Sequence, residues 1–300
     1  MDTINELSTT SPNLSGDGKL SILQKVIWFY RCQRENSAKA LSVDKKVDIV
    51  NYRFNDISND SNASTLSPVR LLCNAFWSEL DLSSLCQNGG GVRVLETGCG
   101  SGIYGHILQK KLGNGLARYR GVDIQEHQQW RGLMESDKFE FFIDRAENIG
   151  EYLSNINLII TQSALEHFEY DLKYFRHISD YVERASYPVW QVHLLPSAEC
   201  LITYLWHGYR RYTVSSISKI SRLFSDRSKV VLFRLGGNSI NKVHLKYITW
   251  PSLLLRTDLA RRFPKTYIND ISSAILNDQE RSERTDASFY ALCIKSNDFS

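Results

Sequence analysis

The chain has few of the residues that staple or interrupt a fold. Among 300 residues there are 6 cysteines, 6 prolines and 2 methionines. The cysteines (Cys32, Cys73, Cys86, Cys99, Cys200 and Cys293) form no C-x-x-C pair and no zinc-like spacing, which argues against a metal-stapled module and points to a reducing compartment. The N-terminus lacks a charged-then-apolar leader, so the expected location is the cytoplasm. No apolar run reaches the ~18 residues of a membrane span. An excess of one charge is missing too: the formal net charge is +3, from 36 basic and 33 acidic side chains. That is no footprint for a phosphate backbone, although basic groups could still gather on one face. No internal repeat is visible. What remains is a 42% hydrophobic composition, enough for one sizeable core with appendages.

Against that background one stretch stands out, VRVLETGCGSGIYG at 92–105. A short apolar strand runs into Glu96 and then into Gly98, Gly100 and Gly102. Glycines allow a tight turn and let a ligand press against the main chain, and the helix that follows offers free N–H groups. The stretch 100–105 also satisfies the dinucleotide pattern G-x-G-x-x-G. In that reading the first glycine should follow the strand almost directly. Counting from Gly100 leaves Glu96, Thr97, Gly98 and Cys99 in between, and counting from Gly98 puts Ile103 where the third glycine belongs.

The spacing Glu96-x-Gly98-x-Gly100-x-Gly102 resembles the cofactor turn of class I S-adenosylmethionine-dependent methyltransferases. Three further segments, in order, extend the resemblance. The strand 118–123 ends at Asp123, a carboxylate suited to a ribose diol. Strand 139–143 leads into Asp144-Arg145-Ala146-Glu147, similar to the turn that borders the adenine, with Arg145 departing from the usual aspartate. The segment 157–168 resembles the fourth strand and its loop, including Leu165-Glu166-His167. The resemblance implies a cofactor, S-adenosyl-L-methionine, held by Glu96, Gly98, Cys99, Gly100, Gly102, Asp123, Ala146, Glu147 and Gln162, with Glu96 near its amino-acid moiety.

Periodicity supplies the remaining elements. Helical spacing follows the glycine turn (Ile103, Ile107, Leu108, Leu112) and Phe168 (Leu172, Phe175, Ile178, Val182), and recurs at Ile217, Ile220 and Phe224. Strands are expected at 189–194, 230–235 and 289–295. Alternating strands and helices give an α/β fold, an open parallel sheet with helices on both faces. The resemblance refines this to a Rossmann-like, doubly wound, mostly parallel seven-stranded sheet with 289–295 as a reversed strand at its edge. The expected organisation is a flexible N-terminus and helical extension over 1–88, then a catalytic domain over 89–300 with insertions at about 195–213 and 236–286. Residues 1–20 read as disordered, 21–31 as a short helix, and 55–67 as a loop. Ser67 and Pro68 then cap a helix with Val69, Leu72, Cys73, Phe76 and Leu80 on its buried side.

A sulfonium methyl is already electrophilic, so the protein must align a nucleophile and take its proton. His167 is the first candidate base, with Glu166 and His207 as further catalytic candidates. The competing reading of His167 is a residue that only shapes its loop. A second cluster, His193, Trp206, His207, Tyr209, Arg210 and Tyr212, gathers stacking surface, a titratable base and a guanidinium fork. His193, Trp206, Tyr209 and Arg210 are accordingly substrate candidates. The stretch also looks like a pattern in bacterial methyltransferases of surface-polysaccharide assembly. Its alternatives are an amphipathic helix over 200–209 that packs on the sheet, or peripheral contact of 201–206 with the inner face of a membrane.

Missing motifs narrow the acceptor. Thr161-Gln162-Ser163-Ala164 stands where nucleic-acid amino-methyltransferases carry N/D-P-P-Y/F, and no Pro-Cys dipeptide occurs. Clustered acidic metal ligands cannot be assembled from the sequence, so no metal is expected. The reading is transfer of a methyl group to an oxygen of a sugar, glycan or other small acceptor. Its alternatives are a small-metabolite methyltransferase, an NAD(P)-dependent oxidoreductase, or a non-catalytic cofactor-binding protein of the same fold.

Overall fold

A computed structural model describes residues 7–10, 14–37, 46–55, 65–87 and 90–298 of the chain. Eight strands form one sheet: β1 (Val47–Asn51), β2 (Val92–Thr97), β3 (Leu116–Asp123), β4 (Phe139–Ile143), β5 (Leu158–Gln162), β6 (Val189–Pro196), β7 (Ser228–Leu235) and β8 (Phe289–Ser296). Their order is β1-β7-β8-β6-β5-β2-β3-β4. All pairings are parallel except the two made by β8, which runs antiparallel between β6 and β7. Without β1 this is the class I methyltransferase fold. The reversed strand forms as expected but not at the sheet edge: β8 inserts between β6 and β7, where both neighbours supply its hydrogen-bond partners and bury its apolar residues.

The eighth strand corrects the expected count of seven. β1 lies in the region read as a helical extension and pairs along the outer edge of β7, from Val47 beside Val230 to Asn51 beside Arg234. Five residues, VDIVN, are too short for periodicity to separate from a loop. The edge of β7 supplies the hydrogen-bond partners that make them a strand.

The central strands are buried on both sides. Every residue of β5 and β6 is buried, as continuous parallel strands require. The helices used below are α1 (Ile22–Ser37), α2 (Pro68–Glu79), α3 (Ile103–Leu112), α4 (Asp171–Arg184), α5 (Val214–Ser221) and α6 (Pro264–Glu280). One face of the sheet packs against α2, α3 and the 238–280 helices, the other against α4 and α5. The capping signals act as the sequence indicates. The Ser67 side chain accepts from the Arg70 N–H with Pro68 in the first turn. Gly113 ends α3 after Lys110 and Lys111.

One expectation and one alternative reading fail in the described residues. Residues 1–6 and 11–13 of the stretch read as disordered lie outside them, as does 56–64 of the expected loop, but 7–10 and 14–20 are docked. Thr9 donates its N–H (2.8 Å) and hydroxyl (2.5 Å) to Asp171. Arg210 donates to the Ser8 hydroxyl (2.9 Å), and the Gly16 N–H reaches the Gly208 carbonyl (2.7 Å). The polar composition conceals this, because buried charged partners far along the chain offset the entropy of ordering the segment. Nor do residues 200–209 form a helix. After a 3-10 turn at Ala198–Cys200 the chain bends through positive φ at Trp206 (54°) and Gly208 (65°). The Arg211 guanidinium satisfies the carbonyls of Tyr204, His207 and Arg210 that helical N–H groups would otherwise meet.

Candidate active site

At the C-terminal end of β2 the chain reverses over three glycines in the left-handed region, with φ of 71° at Gly98, 52° at Gly100 and 78° at Gly102. A Cβ on Gly98 would lie 2.5 Å from that of Ala164, so a side chain there is blocked as well as strained. The turn is pinned from the next strand: Gly98 N–H donates to the Val122 carbonyl (2.8 Å) and Gly100 N–H to the Asp123 carboxylate (2.7 Å). Trp130, stacked on Phe141 at 4.8 Å, donates its indole N–H to the Gly100 carbonyl (2.8 Å).

This turn borders a cleft of about 520 Å³ at the carboxyl ends of the parallel strands, where open α/β sheets bind ligands. Gly98, Asp123, Ala146 and Glu147 line it together with Asp144, Ser163 and His167. The other cofactor candidates stand back from the lining. Glu96 is buried beneath the turn, accepts a hydrogen bond from the Tyr119 hydroxyl, and is pushed up to about 8 by burial. It lies in the packing of β2 on β3, outside the cleft lining. The Cys99 thiol is buried and raised by that burial, and Gly100 and Gly102 shape the turn. Gln162 is buried and accepts from the Trp77 indole N–H (3.0 Å), which turns it towards α2.

Beside the cleft, and sharing Ser163 with it, is a second cavity of about 130 Å³. Its walls include Arg70 and Cys73 of α2, Glu166, Tyr204 and His207. Glu166 is 2% exposed, its carboxyl raised by burial, and one of its oxygens has no hydrogen-bond partner among the described residues.

Asp17, from the docked N-terminal segment, stands between the two spaces. Its carboxylate meets His167 Nδ1 at 2.7 Å and His207 Nδ1 at 3.5 Å, and accepts from the Gly208 N–H at 3.0 Å. A Cβ at residue 16 would fall 2.3 Å from the His207 nitrogen, so only glycine lets the segment approach this closely. Burial raises the Asp17 carboxyl, but the bonds from His167 and Gly208 outweigh it and hold it well below the usual range. For His167 burial works downwards, and the Asp17 bond with the charges of Glu166 and Asp17 outweighs it, so His167 is raised. His207 is lowered to about 4 by burial and by the neighbouring charges of His167 and Arg211. The ligand atoms of Asp17, His167 and His207 all lie within 4.8 Å of one another. Such a set could hold a cation, though none was expected from the sequence.

The shifts set a pH window for docking of the 14–20 segment. Asp17, lowered from 3.8, contributes above that value and loses its contribution as pH falls through its folded pKa. His167, raised from 6.5, contributes fully below 6.5 and loses its contribution as pH rises through its folded pKa. Hydrogen–deuterium exchange of residues 14–20, corrected for intrinsic rates, should therefore show most protection between pH 4 and 6.5, declining at higher pH. A flat profile would contradict the pairing.

Of the substrate candidates, Tyr209 lines the cleft. The others are corrected. His193 is fully buried on β6, bonded to the Thr161 hydroxyl (2.9 Å) and lowered to about 3 by desolvation. Arg210 is 2% exposed and spends its donors on Asp171 (3.3 Å), Ser8, Thr10 and the carbonyls of Phe168 and Glu169. Trp206 packs with Trp28, Cys32 and Leu201 under Lys25. Their residue types suit a ligand, but internal partners take them first. Asp17 and Arg70 were missed by sequence reasoning. Asp17 carries no local signal, and Arg70 is hidden by the apolar periodicity of α2.

No protein-family model and no curated protein matches the chain. Among solved structures it is similar to the plantazolicin methyltransferase BamL in complex with a triazolic desmethylPZN analog and SAH, at 14% identity over 80% of this chain and 88% of that one, TM-score 0.46. It is also similar to a SAM dependent methyltransferase from Archaeoglobus fulgidus, at 16% identity over 78% and 97%, TM-score 0.45. A third is geranyl diphosphate C-methyltransferase from Streptomyces coelicolor A3(2), in complex with Mg2+, geranyl diphosphate and S-adenosyl-L-homocysteine, at 10% identity over 90% and 97%, TM-score 0.43. Likeness at this level adds nothing to what the strand order already establishes.

Proposed function

We propose that this chain is an S-adenosylmethionine-dependent methyltransferase acting on a hydroxyl of a small or glycan-type acceptor. The observation that carries the reading is the convergence of the glycine turn, Asp123, the Ala146–Glu147 turn and the His167 loop on one 520 Å³ cleft. Asp123 would hold the ribose hydroxyls, Ala146 and Glu147 would border the adenine, and Gly98 gives the close approach that a Cβ would deny. When bound, the cofactor supplies an electrophilic methyl group. The adjoining 130 Å³ cavity, joined through Ser163, is the proposed seat of the accepting group.

His167 is the proposed base. Asp17 fixes its Nδ1, which leaves Nε2 to receive the acceptor's proton, and the paired carboxylate stabilises the imidazolium that forms. His207, held neutral at physiological pH, and Glu166, with its unpartnered oxygen, are proposed to orient the hydroxyl from the cavity wall. Calorimetry and thermal shift against S-adenosylhomocysteine and NAD(P) test the cofactor. S-adenosylhomocysteine should raise the melting temperature and NAD(P) should not. The opposite result, with folded protein, overturns the proposal in favour of a dinucleotide enzyme.

A further inference from the structure

Two segments expose more apolar surface than a water-facing protein keeps without use. Along α1 the outward side chains are Ile22 (83% exposed), Leu23 (69%), Val26 (60%) and Tyr30 (67%), while only Trp28 and Cys32 are buried. In the 250–263 stretch, Leu254 (74%) and Leu255 (69%) protrude beside Trp250, Leu253 and Phe263. The 201–206 loop joins the two. Leu201 and Trp206 pack on α1, the Thr203 carbonyl accepts from the Thr249 hydroxyl, and Ile202 between them is exposed.

Charge is gathered in the same places. Residues 19–37 carry Lys19, Lys25, Arg31 and Arg34 against Glu35, and residues 250–265 carry Arg256, Arg261, Arg262 and Lys265 against Asp258. The two segments thus hold a net +6 in a chain whose total is +3, so the rest of the molecule is net acidic. Protruding leucines, a tryptophan and a tyrosine rimmed by lysine and arginine form the composition of a helix that lies in a lipid interface. The basic rim matches an anionic surface. The cleft-lining residues Ser15 and Asp17 lie a few positions before α1, so a chain docked by this helix keeps its cleft beside the bilayer.

We infer that α1 and the 250–263 stretch together form a docking surface for an anionic lipid bilayer. The binding is peripheral, since no helix among the described residues is long and apolar enough to cross a membrane. It is independent of the methyl-transfer reading.

Co-sedimentation of the full chain with vesicles of phosphatidylcholine containing 30% phosphatidylglycerol tests it, with pure phosphatidylcholine and raised salt as comparisons. Binding is expected on the mixed vesicles, at least 10-fold weaker on phosphatidylcholine, and weaker as salt rises. The pairs Leu254→Glu/Leu255→Glu and Ile22→Glu/Val26→Glu should each cut binding at least 10-fold, with melting temperature and circular dichroism confirming that the variants fold. No binding of folded wild-type protein to mixed vesicles at low salt overturns the inference. So does light scattering that shows a dimer dissolved by Leu254→Glu/Leu255→Glu, since the patch would then be covered by a second copy.

Discussion

Replacing Asp123 by alanine is expected to weaken S-adenosylhomocysteine binding by about 100-fold or more. The carboxylate sits at the end of β3, accepts the Gly100 N–H at 2.7 Å and lines the cleft, so it would serve both the turn and the ligand. Two charge-assisted bonds to ribose hydroxyls contribute about 1.5 kcal/mol each at the lower end of their range, or about 3 kcal/mol together. Asp123→Asn keeps an acceptor for Gly100 and for one hydroxyl, and a loss nearer 10-fold is expected. Calorimetry separates the cases. An alanine variant that is folded and binds like the wild type would remove Asp123 from the site.

The second large effect concerns the proton. His167→Ala should lower kcat by about 10²–10⁴-fold, the usual contribution of a general base, while changing cofactor affinity by less than about threefold. A base works when deprotonated, so kcat should rise with pH, with its inflection above 6.5 because His167 is raised. Asp17→Asn removes that cause, so the inflection should move to lower pH as the rate falls. A purely structural histidine would not produce such a shift. Unchanged turnover in His167→Ala would leave the residue a shaper of its loop.

Much of the central sheet was legible because its signals are local. The glycine turn, the carboxylate at the end of β3 and the apolar periods of α3 and α4 each lie within a dozen residues. One side of the cleft was legible for the same reason, as far as Gly98, Asp123, Ala146 and Glu147 reach its lining. The wall facing it was not. Trp206, His193 and Arg210 look like ligand-binding chemistry in sequence, yet Arg210 is tied to Asp171 and to Ser8, 202 positions away. Asp17 owes its role to His167, 150 positions away. No window along the chain contains both partners, and composition alone reads the first twenty residues as a polar tail. β1 escaped notice because its strand character comes from the edge of β7.

The docked N-terminal segment also sets an order of assembly. Thr9 waits for Asp171, Ser8 for Arg210 and Asp17 for His207, whereas β2, β3, β4 and β5 can pair before those later residues exist. A chain growing from its N-terminus therefore carries Ser8, Thr9 and Asp17 without these partners until Asp171, His207 and Arg210 have been made. The Asp17–His167–His207 cluster is consequently among the last features of the molecule to form, after the strands that carry the glycine turn have paired.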